Sequence, residues 1–107
     1  MSIFSTDKPS AETGHINVIA EFQTKPEHAE AVTAVLTGLV EPSRVDDGCK
    51  GYHLLVDKSD PTRLYTYEEW TSEGKLQTHL EGAKTILASV KELLAAEMKL
   101  TILNHLV

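Results

Sequence analysis

The segment Ser43–His79 constrains the fold of this chain more than any other part of the sequence. It predicts a turn, a strand, a short connection, a second strand and the start of a helix, because Asp, Gly and Pro separate runs rich in β-branched and aromatic residues. The connection Lys58–Thr62 is short, so the strands Cys49–Asp57 and Arg63–Trp70 are expected to form a hairpin. The centre of the chain therefore predicts an antiparallel sheet.

One strand and one helix are predicted before the hairpin. The segment His15–Gln23 alternates between apolar and polar residues, as a half-buried strand does. Thr24 and Glu27 have the spacing of a capping box, which predicts the start of a helix. Pro42 is expected to end this helix at about Glu41, because proline disfavours the helical conformation of the residue before it.

A second helix and a last strand are predicted after the hairpin. Ser72 is a suitable helix cap, and Gly82 predicts a kink or a break within the helix. Apolar residues at 98, 100 and 102 then alternate as in a strand. The order β-α-β-β-α-β predicts an α+β, ferredoxin-like fold, with a four-stranded antiparallel sheet and both helices on one face.

Length and composition indicate one domain of an acidic protein. With 107 residues, the chain is expected to form a flexible N-terminal tail at 1–13 and a ferredoxin-like domain at 14–107. The net charge of −6 argues against nucleic acid and anionic membranes as partners. The single cysteine, Cys49, excludes an internal disulfide, and no signal peptide is apparent, so a cytoplasmic location is expected.

The second face of the sheet predicts a partner subunit. Two helices cover only one face, while alternation places Ile19, Leu55 and Leu103 on the other. An apolar sheet face needs a partner to exclude water from it. We therefore expect a homodimer.

Three residues are candidates for catalysis. Glu68 and Trp70 lie two apart on one strand and share a face, and His79 lies on the apolar side of the following helix. A pocket between sheet and helices would let His79 act as a general base, Trp70 stack on an aromatic substrate and Glu68 orient a donor or polarise the imidazole. Purely structural roles are the alternative for each, as a buried tryptophan, a core histidine and a carboxylate bonded to backbone.

Four further residues are candidates for substrate binding. Asn17 is expected to bond a ligand oxygen, His53 to face either the pocket or the dimer interface, Tyr67 to offer a polar tip, and Leu76 to shape the pocket. The five histidines are scattered, so no metal site is predicted, and no glycine-rich nucleotide loop predicts a cofactor.

The ordered set of motifs resembles the antibiotic biosynthesis monooxygenase domain family, of the dimeric α+β barrel superfamily. The resemblance covers about residues 15–105. It is carried by Ser43-Arg44, Asp47-Gly48-Cys49 with Tyr52, Asp60-Pro61-Thr62-Arg63, Tyr67-Glu68-Glu69-Trp70, Ser72-Glu73, and His79 nine residues after Trp70. It implies a homodimer whose two sheets form an α+β barrel, with a pocket in each subunit.

The resemblance also implies a function. Several family members oxidise quinols or polycyclic phenols with molecular oxygen and without flavin or metal, so a cofactor-independent monooxygenase is the first expectation. An acid–base isomerase of a small phosphorylated or carbonyl metabolite and a non-catalytic ligand-binding dimer are the alternatives. Haem degradation is disfavoured, because residues 83–88 lack the histidine that haem-degrading relatives use.

Overall fold

The computed structural model describes residues 15–107. The predicted tail, residues 1–13, lies outside this range. The described elements are β1 (Ile16–Gln23), a turn of 3-10 helix (Pro26–His28), α1 (Ala29–Gly38), α2 (Val40–Arg44), β2 (Cys49–Asp57), β3 (Asp60–Trp70), α3 (Glu73–Lys91) and β4 (Lys99–Asn104). No helix within residues 15–107 is both long and apolar enough to cross a membrane.

The sheet has the strand order β2-β3-β1-β4, and each neighbouring pair is antiparallel. In this register Val18 of β1 lies between Glu68 of β3 and Ile102 of β4. The order and the connecting helices are those of the ferredoxin-like fold, so the predicted fold class is confirmed.

The core lies between the helices and one face of the sheet. Its two clusters are contiguous along that face and share contacts with Leu100. The buried members of the first are Ala20, Phe22, Val32, Leu36, Leu39, Leu64 and Val90. Those of the second are Ile16, Val18, Tyr52, Trp70 and Leu76. Every second residue of β1 thus faces the helices, as the alternation predicts.

The opposite face of the sheet is open in the single chain. Leu55 is 51% exposed and Leu103 is 43% exposed, although both lie within strands. Tyr67 on the same face is also exposed. This surface is called the open face below.

The predicted boundaries of the first helix are wrong at both ends. Thr24 does not cap a helix: it is bridged to Leu94 beside the sheet, and its buried Oγ1 atom has no hydrogen-bond partner within residues 15–107. Pro42 does not end a helix but lies in the first turn of α2. A proline is tolerated there because the first turn of a helix leaves its N–H groups without intrahelical partners.

The second predicted helix has its expected start. The Ser72 side chain accepts a hydrogen bond from the backbone N–H of Lys75, at 3.2 Å. The predicted interruption at Gly82 is wrong, because α3 is continuous from Glu73 to Lys91. Packing of its apolar face against the core outweighs the weak helix propensity of one glycine.

Candidate functional site

His79 is placed at the centre of the candidate site by α3. It lies nearly two turns into the helix, on the same face as the buried residues Leu76 and Ala83. The residue is only 8% exposed. A buried imidazole needs hydrogen-bond partners for its polar atoms, which makes its surroundings informative.

The partner of His79 is Asp46, in the turn between α2 and β2. The Nδ1 atom of His79 lies 2.8 Å from Oδ2 of Asp46. A carboxylate can only accept, so Nδ1 donates its hydrogen to Asp46. That tautomer leaves Nε2 as a proton acceptor, and Nε2 has no hydrogen-bond partner within the described part of the chain. A carboxylate–imidazole pair of this kind is suited to general-base chemistry.

The turn that carries Asp46 is held by two further contacts, one to α3 and one to the connection between β3 and α3. Asp47 forms an ion pair with Lys75, and the Gly48 carbonyl accepts a hydrogen bond from the Thr71 N–H at 2.8 Å. Gly48 has a φ of 86°, a conformation that glycine adopts without strain. The turn is therefore tied to the helix on which His79 lies.

Trp70 contacts His79 from the side of the sheet. The two ring centroids are 4.6 Å apart, and the ring planes are inclined by 37°. The indole Nε1 donates to Oε1 of Glu68 at 2.9 Å, and Thr66 donates to the other oxygen at 2.6 Å. Glu68 therefore orients Trp70, whereas the carboxylate that contacts His79 is that of Asp46.

Tyr52 completes the surroundings of the imidazole. Its ring packs edge-on against His79, with centroids 5.7 Å apart. Burial, with a smaller contribution from the nearby Glu68 carboxylate, raises the pKa of Tyr52 from 10.0 to about 12. Tyr52 therefore stays protonated across the physiological pH range.

An open groove of about 430 Å³ lies between the helices and exposes this site. This helix groove is lined by Gly38, Leu39, Pro42, Ser43, Asp46, Asp47, Lys75, Thr78, His79, Gly82, Ala83 and Ile86. The space between helices and sheet, where the sequence predicts the pocket, is much smaller, at about 20 Å³. Leu39, His79 and Ala83 line both spaces and so separate them.

The structure divides the predicted site residues into two groups. Glu68, Trp70 and His79 come together in one contiguous set of contacts, although Trp70 is fully buried and lines neither of the two spaces. Leu76 lies near them as a core residue, with no exposed surface.

Asn17, His53 and Tyr67 lie on the open face, across the sheet from His79. The Asn17 amide donates to the Tyr67 hydroxyl at 3.1 Å, and the His53 and Tyr67 rings stack with centroids 6.4 Å apart. Of the two positions considered for His53, the structure places it on the face that was expected to meet a partner subunit.

Asp46 is the residue of the site that sequence reasoning missed. The motif Asp46-Asp47-Gly48 was recognised only as a turn. A usable signal was present on α3, where His79, Gly82, Ala83 and Ile86 follow helical spacing and mark one face of the helix groove. Within residues 15–107, no three His, Cys, Asp or Glu residues are grouped so that they could hold a metal ion.

Comparison with known proteins identifies the family. The Mycobacterium tuberculosis protein named "Putative monooxygenase Rv0793" is 33% identical over 97 residues, which cover 88% of this chain and 94% of that protein. The structure of Rv0793 matches with a TM-score of 0.82 at 29% identity, covering 88% of this chain and 97% of its own.

A second solved structure supports the same relationship. PA3566 from Pseudomonas aeruginosa matches with a TM-score of 0.77 at 31% identity, covering 88% of this chain and 96% of its own. The sequence model of the family described as antibiotic biosynthesis monooxygenase matches residues 15–88, which include β1, the first two helices, the hairpin, most of α3 and the whole site around His79. This chain therefore belongs to the antibiotic biosynthesis monooxygenase family.

Proposed function

We propose that this protein is a cofactor-independent monooxygenase that oxidises a quinol or polyphenolic small molecule with molecular oxygen. Family membership supports a monooxygenase reaction. The observation that carries the proposal is the pairing of His79 with Asp46 beside the helix groove, at 2.8 Å. A phenol is acidic enough to lose its proton to such a base, and its anion is electron-rich enough to react with oxygen directly.

The first half of the proposed reaction forms a carbon–oxygen bond. Nε2 of His79 accepts the phenolic proton, and the phenolate transfers one electron to dioxygen, which gives a substrate radical and superoxide. These combine at a ring carbon that carries hydrogen and lies ortho or para to the hydroxyl group. In a quinol this is an ortho carbon, because the para carbon holds the second hydroxyl group. The imidazolium then returns its proton to the peroxide anion, so that a hydroperoxide results.

The second half breaks the oxygen–oxygen bond. Nε2 of His79 removes the hydrogen on the oxygenated ring carbon as a proton, the carbon becomes a carbonyl, and hydroxide leaves. The imidazolium protonates the hydroxide to water. In sum, a phenol and one dioxygen give a quinone and one water, so the electrons come from the substrate and no external reductant is needed. The chain contributes the base, its orientation and a partly dry surface.

The test is oxygen uptake with a panel of hydroquinones and naphthols in metal-free buffer. His79→Gln is expected to lower kcat about 100-fold or more, the usual range for loss of a general base. Asp46→Asn should also lower kcat, because the amide no longer secures the Nδ1–H tautomer. Asp47→Asn is the matched control: it changes a neighbouring carboxylate that pairs with Lys75 and not with His79, so its effect should be much smaller.

The products separate this function from its alternatives. Oxygen uptake with formation of an oxygenated product, lost in His79→Gln, would indicate the monooxygenase. Conversion of a substrate without oxygen uptake would instead indicate an isomerase. Ligand binding without turnover across the panel would indicate a binding module.

We also propose that the chain forms a homodimer through the open face. Leu55 and Leu103 expose apolar surface there, beside the stacked rings of His53 and Tyr67. Pairing two such faces would bury this surface and leave the helix groove accessible, because the groove lies on the opposite side of the sheet.

A cytoplasmic location is part of the proposal. Cys49 is a free thiol, and burial raises its pKa, which keeps it in the less reactive protonated form. A single protonated thiol is well suited to a reducing compartment. Fractionation of cells that express the tagged chain would test the location.

A further inference from the structure

Two glycines on the walls of the helix groove have no local explanation. Gly38 is the last residue of α1, and Gly82 lies in the middle of α3. Glycine is among the poorest helix formers, so it usually occupies such positions for a backbone or packing reason. Neither reason applies here. Gly48 alone has a positive φ within residues 15–107. Apart from its chain neighbours and the backbone of its own helix, a Cβ atom at Gly38 or Gly82 would meet no atom of the described residues within 4 Å.

What the two glycines leave open is space inside the groove. Both line it, and they come from the two helices that flank it. A side chain at either position would project into this space and not into the core. Absence of a side chain therefore affects the volume of the groove and no other packing contact.

The groove contains a group that is available to a ligand. His79 is more than nine-tenths buried, lines the groove, and has an Nε2 atom without a hydrogen-bond partner within the described residues. Ala83 lies one turn further along α3, and Gly82 lies on the same turn, so a molecule resting between the helices would reach His79. The volume of the helix groove, about 430 Å³, falls within the range of about 300 to 1,000 Å³ that is typical of small-molecule sites.

We propose that Gly38 and Gly82 determine substrate specificity by keeping a slot open for a flat, fused-ring quinol or phenol. This inference rests on the proposed function. The walls beside the glycines are apolar, through Leu39, Pro42, Ala83 and Ile86, and the end near Asp46 is polar. A fused-ring molecule with a hydroxyl group at one end matches both the apolar walls and the polar end. Its rings would contact carbon atoms of the walls at about 3.5 to 4.0 Å. One added methyl group at either glycine would take up part of the space that a second ring needs.

The experiment compares three glycine-to-alanine variants. Gly38→Ala and Gly82→Ala each place a methyl group in the groove. Gly74→Ala is the matched control on α3, because Gly74 does not line the groove and its Cβ would make only an ordinary contact, 3.7 Å from Oγ of Ser72. All three variants are expected to raise the thermal unfolding midpoint or leave it unchanged, because alanine is the better helix former.

Binding is measured by calorimetry under argon, so that no oxygen chemistry takes place. The probes are 1,4-dihydroxynaphthalene, which has two fused rings, and hydroquinone, which has one. We expect Gly38→Ala and Gly82→Ala to raise the Kd of the two-ring probe by about tenfold, the lower end of the effect that one methyl group has on binding in an apolar pocket. Hydroquinone affinity should change much less, and Gly74→Ala should bind both probes as the parent does.

The outcomes separate this inference from the proposed function. If Gly38→Ala and Gly82→Ala are folded and bind the two-ring probe as the parent does, the slot does not select the substrate, whatever the oxygen activity. A second outcome is that the two variants lose affinity for the two-ring probe alone, while the parent consumes no oxygen with any quinol. That result would support the role of the glycines and contradict the monooxygenase proposal. Failure of the parent to bind either probe would overturn the inference directly.

Discussion

The indole of Trp70 lies against the imidazole of His79, with ring centroids 4.6 Å apart, at the junction of β3 and α3. The same indole donates to Glu68, so the contact is fixed from within the sheet. On its other side His79 is held by Asp46, which comes from the turn before β2. Three separate elements thus determine the position of one imidazole, which is what a site needs if it is to present that imidazole to a ligand in a defined orientation.

Trp70→Phe is expected to reduce both stability and activity. The substitution removes the indole N–H that Glu68 accepts and leaves a gap in a fully buried position. The free energy of unfolding should fall by about 2 to 3 kcal/mol, from the lost packing and the carboxylate left with one donor. Because the smaller phenyl ring contacts His79 less fully and is no longer oriented by Glu68, kcat for oxygen uptake should fall as well.

Thr66→Val is the control for that prediction. It removes the hydroxyl that donates to the other oxygen of Glu68, and Thr66 makes no ring contact with His79. Urea denaturation should show a loss of about 1 to 2 kcal/mol, while kcat stays near that of the parent. An equal loss of kcat in both variants would show that Glu68, and not the Trp70 ring, supports the imidazole.

Gly48→Ala is expected to damage both the fold and the site. A Cβ atom at this position would collide with the side chain of Lys75 and come within 2.9 Å of Oγ1 of Thr71, and φ is 86°. The left-handed conformation alone costs a non-glycine residue about 1 to 2 kcal/mol, and the collision adds to it. The displaced turn should also move Asp46 from His79, so the activity lost should exceed what the unfolded fraction explains.

Gly51→Ala provides the comparison for Gly48→Ala. Its Cβ would have 3.8 Å to the nearest atom, in Glu69, and its φ is not positive. The free energy of unfolding of this variant, measured by thermal denaturation, should differ from that of the parent by less than about 1 kcal/mol. Equal stability of the two alanine variants would contradict the steric argument.

Local sequence patterns were sufficient to predict the fold but not to predict the candidate site. The strands followed from alternation and the second helix from spacing and the Ser72 cap, because these signals act over a few residues. The first helix was less predictable, since the bridge between Thr24 and Leu94 and the break before Val40 depend on tertiary packing. The contact of Asp46 with His79 joins residues 33 apart in sequence, through a turn whose direction no local pattern fixes.

One feature of the candidate site was accessible to sequence reasoning. Glu68 and Tyr67 are adjacent on β3, and adjacent strand residues point to opposite faces. Tyr67 therefore could not share a pocket with Glu68 on the same face of the sheet. The pairing of His53 with Tyr67 depends on the register of β2 against β3, which alternation alone does not give. The helix groove, by contrast, depends on how two helices are spaced, which hydrophobic periodicity does not report.

Tyr52 is expected to make stability depend on pH in the alkaline range. Burial favours the neutral phenol, so its pKa rises from 10.0 to about 12. The group thus contributes stability that is complete below pH 10 and is lost as the pH rises towards 12, about 3 kcal/mol in all. An absorbance titration of the phenolate should show a late phase near pH 12 that disappears in Tyr52→Phe. A titration without that phase in the parent would show that Tyr52 is accessible to water.

Leu55→Glu is expected to convert the proposed dimer into a folded monomer. Leu55 is 51% exposed in the single chain, so a glutamate there costs the isolated subunit little, whereas two carboxylates within a paired apolar face would be desolvated without partners. Multi-angle light scattering should give the mass of two chains for the parent and of one for the variant, with unchanged circular dichroism. Val45→Glu is the control, since Val45 is more exposed than Leu55 but lies in the turn after α2 and off the sheet. It should remain dimeric. A monomeric parent, or a Leu55→Glu variant that stays dimeric, would show that the open face is not where two chains meet.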